Sequence, residues 1–166
     1  MRPGATRAMV ALLGVVSSAA LVAQPGEPLQ INPFHDPFVQ ATSGRPCPTP
    51  LGPAYTETAR RAESHSRIER GTSCWLAGKC AEPNAYRYDA GIARAAVTAL
   101  RAERTLGASA IWVTAQRRLV YLEGCVADAA QAAKAESLVK ALPDVDRVIP
   151  ALGLPGERIP YTRLQP

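Results

Sequence analysis

Ser109-Ala-Ile-Trp-Val-Thr-Ala115, Gln116-Arg117-Arg118 and Leu119-Val-Tyr-Leu-Glu-Gly-Cys-Val126 decide the fold. The first run is rich in β-branched and aromatic residues, the last alternates, and three polar residues separate them. Two extended runs joined by a short polar turn make a β-hairpin. Successive strand residues point to opposite faces. Ile111 and Val113 therefore share one face, and Trp112 and Thr114 the other. In the second strand Val120, Leu122, Gly124 and Val126 alternate with Leu119, Tyr121, Glu123 and Cys125.

On the N-terminal side, Ile92, Ala93, Ala96, Val97 and Leu100 recur at helical spacing. They predict a helix over residues 90–104, capped by the Asp89 carboxylate and stopped by Gly107. On the C-terminal side, the Ala-rich residues 128–141 predict a second helix, ended by Pro143. Residues 145–152 predict a last strand, in which Val148 and Leu152 alternate with Ile149 and Ala151. Pro150 has no N–H to give a ladder, which places this strand at an edge. The fold class is α+β, in the order αββαβ: a three-stranded mixed sheet with two helices on one face. A strand–helix–strand return is right-handed, so the last strand should run parallel to the second. The other face would carry Trp112, Leu119, Tyr121, Cys125, Ile149 and Ala151, too apolar a set to meet water. Residues 54–86, a second copy or a partner would have to cover it.

The chain has 166 residues, enough for one domain. Eight of its 15 prolines fall at residues 25–53. That excludes a helix or central strand there, and residues 24–53 read as an extended, loosely ordered leader. Residues 54–70 have helical composition and a thin apolar face of Tyr55, Ala59, Ala62 and Ile68, with Gly71 as a C-terminal cap. This polar helix and the Cys74/Cys80 loop occupy residues 54–84, the compact module residues 85–154, and a tail residues 155–166. Cys74 and Cys80 fit a local disulfide in an exported protein. The alternative is a metal site, but no histidine neighbours the pair and structural zinc wants a second ligand pair.

Residues 1–23 read as a signal peptide. Arg2 and Arg7 precede an uncharged apolar run that ends in Ser18, Ala19, Ala20 and Ala23. A retained anchor helix is the competing reading, though the run is short for a bilayer. Beyond it no run of 18 apolar residues occurs. Removal of residues 1–23 leaves 17 basic against 14 acidic residues, a net charge of +3. That suits an acidic partner or an anionic membrane surface without demanding either. No block of Lys and Arg suggests nucleic acid.

Residues 89–152 resemble the BON domain, a bacterial module of osmotically induced and nodulation-related envelope proteins. The carriers are Asp89-x-x-Ile92, Ile111-x-Val113, Val120-x-Leu122-x-Gly124-x-Val126, the Ala-rich helix and Val145-x-x-Val148. The resemblance implies a non-catalytic, periplasmic module. It would attach peripherally to phospholipid or to envelope proteins, without cofactor or metal. Gly124 is characteristic of the family, and a glycine there admits a bulge or close approach. Members often carry two such domains, whereas this chain offers one with a Cys-containing extension. Cys125 stands on the open face, where it would either bond Cys47 and draw the leader across the sheet, or remain a buried free thiol.

No catalytic constellation emerges. His35 and His65 lie in the leader and the polar helix, and His65 sits between Ser64 and Ser66 on a solvated face. The chain has no Gly-x-Ser-x-Gly, His-Glu-x-x-His or Gly-Lys-Ser/Thr. Gly153-Leu-Pro-Gly156 has the spacing of an RNA-binding clamp, but it follows a strand and contains proline. Arg94 and Arg101, seven residues apart on the first helix of the module, and Arg104 at its end are the candidate phosphate contacts. The competing and favoured reading is a solvated helix face, with cations helping at the C-terminal end of the dipole. Trp112 and Tyr121 are the candidates for a protein-interaction or assembly surface on the exposed sheet face.

Overall fold

The computed structural model describes residues 26–69 and 72–165. The signal-peptide reading of residues 1–23 and the Gly71 cap lie outside them. In chain order the elements are β1 (Gln30–Ile31), β2 (Phe38–Ser43), β3 (Ala54–Tyr55), α1 (Glu57–Glu69), α2 (Thr72–Leu76), α3 (Asp89–Ala102), β4 (Ala110–Gln116), β5 (Leu119–Cys125), α4 (Ala129–Lys140) and β6 (Arg147–Gly153). Short 3₁₀ turns precede and follow α3.

The main sheet runs β2-β4-β5-β6. β4 and β5 form the antiparallel hairpin, in the register Ile111 to Gly124 and Gln116 to Leu119, and β6 joins β5 in parallel. The sheet is mixed, as expected, but has four strands rather than three. The added strand is β2, antiparallel to β4 from Phe38–Thr114 to Ser43–Ala110. Its six residues lie in a proline-free window between Pro37 and Pro46, long enough for an edge strand. Residues 38–43 are therefore a regular strand of the sheet rather than part of a loosely ordered segment.

One face of the sheet is the core. Ile111, Val113, Val120, Leu122 and Val126 are fully buried there with Ala96, Leu100, Ala135 and Val139 of α3 and α4. Each such Leu, Ile or Val contributes about 1.5–3 kcal/mol on burial. α3 packs on β2 and β4, and α4 on β6. Asp128 starts α4 by accepting the Gln131 N–H at 2.8 Å, while the Gln131 side chain accepts the Ala127 N–H. This reciprocal arrangement satisfies two orphan donors.

Asp89 does not cap its helix. It is the first residue of α3, is 2% exposed, and accepts the backbone N–H groups of Arg117 and Arg118 at 2.8 Å each. Both arginines have positive φ, 57° and 66°, the requirement of a type I′ hairpin turn. Neither residue is one that the turn prefers, so its stability comes from Asp89, across the fold.

The second sheet face is covered, but mostly not by residues 54–86. Residues 47–55 cross it. Cys47 is disulfide-bonded to Cys125 at the start of that crossing, Pro50 is fully buried, and Gly52 lies against the Phe38 ring. Gln116 donates to the Tyr55 hydroxyl at the end. The C-terminal tail pins this strap from outside: Leu51 N–H donates to Thr162 O at 2.8 Å and Leu164 N–H to Thr49 O at 2.9 Å. The Tyr161 hydroxyl donates to Pro48 O at 2.7 Å. Trp112 is left 8% exposed.

Candidate functional site

The outer side of α3 and the free edge of β2 form an apolar groove of about 350 Å³, lined by Pro37, Val39, Ala90, Val97 and Thr98 with Arg94 at its rim. β2 carries a bulge between Gln40 and Thr42, and Ala41 within it is buried in the core. A bulge leaves ladder carbonyls without strand partners. Arg101 satisfies them, donating to Ala41 O at 2.9 Å and Gln40 O at 3.1 Å. Among the described residues, Arg94 and Arg104 are exposed and their guanidinium groups form no ion pair. Arg104 follows α3 in the 3₁₀ turn that Glu103 caps through the Thr105 N–H. Of the three arginines, Arg101 is already occupied as a brace for the edge strand.

Trp112 and Tyr121 do not form an open docking face. Trp112 is buried, and Tyr121 is half-buried beneath the strap. The expectation of an exposed sheet face fails because the leader supplies its cover, fastened at Cys125.

Gly124 has φ 142°, and a Cβ built there would stand 2.0 Å from the carbonyl oxygen of Ala110. The glycine is required by the close approach of β4, so its role is to let the hairpin close. Cys74 and Cys80 are joined by the second disulfide. All four cysteines are paired, and among the described residues no group of three or more His, Cys, Asp or Glu could hold a metal ion.

Two sets of residues escaped the sequence reading. Asp36 and Arg67 form a bidentate pair at 2.8 and 2.6 Å, almost buried. The Arg67 guanidinium lies 3.9 Å from the Phe34 ring centre and 4.1 Å from that of Tyr86, a cation–π sandwich. Gln116 donates to the same Asp36 carboxylate, so the cluster ties leader, α1 and β4 together. The spacing of 31 residues between Asp36 and Arg67 carries no sequence signal. The second set is Trp75 and Leu76, exposed at 46% and 73% on the loop closed by Cys74 and Cys80. An apolar dipeptide inside a short disulfide loop was the available clue.

A mixed four-stranded sheet backed by two helices, with an apolar groove rimmed by Arg94 at its edge, defines a small α+β module. Residues 88–153 match the model of the BON domain family. No curated protein matches the chain. Among the described residues no helix is long and apolar enough to cross a membrane.

Proposed function

We propose that the protein is a non-enzymatic, periplasmic module that attaches peripherally to anionic phospholipid. The observation that carries this reading is the groove between α3 and β2, in which an unpaired arginine, Arg94, stands beside apolar walls that include the 41% exposed Val39. A phospholipid offers the same pairing of charge and hydrocarbon: its phosphate accepts charge-assisted bonds from arginine, and its acyl chain fits an apolar trough. Arg104 adds a second free cation, each contributing about 1 kcal/mol near an anionic surface. Trp75 and Leu76 supply an aromatic and an aliphatic side chain of the kind that settles at a bilayer interface. The two disulfides accord with an oxidising compartment, and with export by residues 1–23.

The test is flotation of the processed, oxidised protein with phosphatidylglycerol-containing vesicles. Binding is expected at low salt, weakened by added salt and lost in the double variant Arg94→Glu, Arg104→Glu. Arg101 is spared because it braces β2. Absence of flotation in the parent protein, or flotation unchanged in the double variant, would remove the proposal.

A further inference from the structure

Under the strap, on the face away from α3 and α4, lies a second hollow of about 290 Å³ that opens to solvent. Its walls are Pro53 and Tyr55 of the strap and Thr114, Gln116, Tyr121 and Glu123 of the sheet. Thr114 is directly opposite Tyr121, and Glu123 opposite Trp112. Thr114 and Glu123 are thus diagonal neighbours on one face, within reach of a single small ligand.

Two polar groups of this hollow lack partners. Thr114 is 4% exposed, and its hydroxyl makes no hydrogen bond. Among the described residues, the Glu123 carboxylate accepts no hydrogen bond and pairs with no cation, although basic residues outnumber acidic ones in this chain. Burial holds its proton affinity above that of an ordinary glutamate. A buried hydroxyl and a half-buried carboxylate without partners are each costly. Gln116 cannot relieve them with its amide hydrogens, which go to Asp36 and Tyr55. The hollow therefore presents one unused acceptor, the Glu123 carboxylate, and holds a second, the Thr114 hydroxyl, buried in its wall beside the phenol rings of Tyr55 and Tyr121, whose π faces attract cations.

We propose that this hollow binds a small primary ammonium group, which donates to the Glu123 carboxylate and the Thr114 hydroxyl beside Tyr55 and Tyr121. A free alkylamine and the ethanolamine headgroup of a phospholipid share that chemistry. An ammonium satisfies both orphaned acceptors at once and restores the charged form of Glu123. The site is independent of the groove beside Arg94, on the opposite face of the sheet.

The experiment is a nuclear magnetic resonance titration of the full oxidised protein with ethylammonium chloride. A probe of three heavy atoms binds no tighter than about millimolar, so the titration extends to about 50 mM. Saturable shifts are expected at the amides of Thr114, Tyr121 and Glu123. Affinity should fall about tenfold in Glu123→Gln and severalfold in Thr114→Val. Tetramethylammonium, which has charge but no N–H, should bind far more weakly to the unaltered protein, a comparison that needs no variant to fold. Ethanolamine and vesicles with or without phosphatidylethanolamine separate the sources. Shifts with ethanolamine and vesicle binding indifferent to phosphatidylethanolamine identify a free amine. Phosphatidylethanolamine-dependent binding that is lost in Glu123→Gln identifies the headgroup. Absence of saturable shifts, equal shifts from tetramethylammonium, or full affinity in Glu123→Gln overturns the proposal. Flotation through Arg94 and Arg104 should be unaffected by Glu123→Gln, so the two readings fail separately.

Discussion

One oxygen of the Asp89 carboxylate accepts the backbone N–H of Arg118 at 2.8 Å, and the other accepts that of Arg117. This pairing joins the first turn of α3 to the tip of the β4–β5 hairpin. Residues with a Cβ resist positive φ, at a cost of about 1–2 kcal/mol each. Two charge-assisted bonds, each of about 1.5–3 kcal/mol, offset that cost. Arg118 adds to the anchor through its side chain, which donates to Asp144 O at 2.7 Å and lies over the Tyr88 ring. The first helix of the module is thereby locked to the hairpin before the core is considered.

Burial pushes the Asp89 carboxyl up to about 6, against the pull of the two backbone N–H groups. In the unfolded chain the same group titrates near 3.8. Between these values the folded state binds more protons than the unfolded one, so this group makes stability fall as pH rises through that window. The slope approaches about 1.4 kcal/mol per pH unit at most. Urea unfolding at pH 4 and pH 6.5 should show this component in the parent and lose it in Asp89→Asn. Identical pH dependence in the two proteins would refute the assignment.

Gly124→Ala should be severely destabilising, by about 3 kcal/mol or more, because the added methyl meets the Ala110 carbonyl and the backbone there is strained for any side chain. Thermal unfolding measures it. A loss below about 1 kcal/mol, the ordinary cost of a point change, would mean that the hairpin relaxes around the methyl.

Cys47–Cys125 closes a loop with a sequence separation of 78. Chain-entropy arithmetic assigns such a crosslink about 4.5 kcal/mol. Cys47→Ser with Cys125→Ser should lower the urea midpoint accordingly and loosen the strap. In a Trp75→Phe background, Trp112 emission should then shift to the red as water reaches it. Unchanged emission would show that the tail alone holds the cover in place.

Arg67→Ala should leave Asp36 as a buried, unpaired charge and separate α1 from the leader, at a cost of about 3 kcal/mol. Faster amide exchange is expected in α1 and β3, with α4 and β6 unaffected. Uniform protection across the molecule would show that the cluster is dispensable.

Much of the module is legible in the amino-acid sequence. Alternation over Ile111, Val113, Val120 and Leu122 selects the core face, because a strand offers only two. The spacing of Ile92, Ala96 and Leu100 does the same for α3. Gly124 and the polar turn mark where the chain must bend or approach closely. Three features were not legible. Phe38–Ser43 is masked as a strand by the prolines on either side of it. Asp89 looked like a cap because its distant partners, the N–H groups of Arg117 and Arg118, leave no trace in composition. Arg101 looked like a free surface cation because the carbonyls it braces exist only once β2 has bulged.

The sequence by itself determined the αββαβ order, the buried face of the hairpin and the positions of Cys74 and Cys80 in one loop, since these depend on periodicity and short spacing. Tertiary structure alone decided that the leader becomes both an edge strand and a cover, that Arg94 and Arg104 remain unpaired while Arg101 does not, and that Thr114 and Glu123 share a hollow. Those outcomes depend on groups tens of residues apart competing for the same donors, acceptors and apolar surface, and that competition is resolved only when the chain has closed on itself.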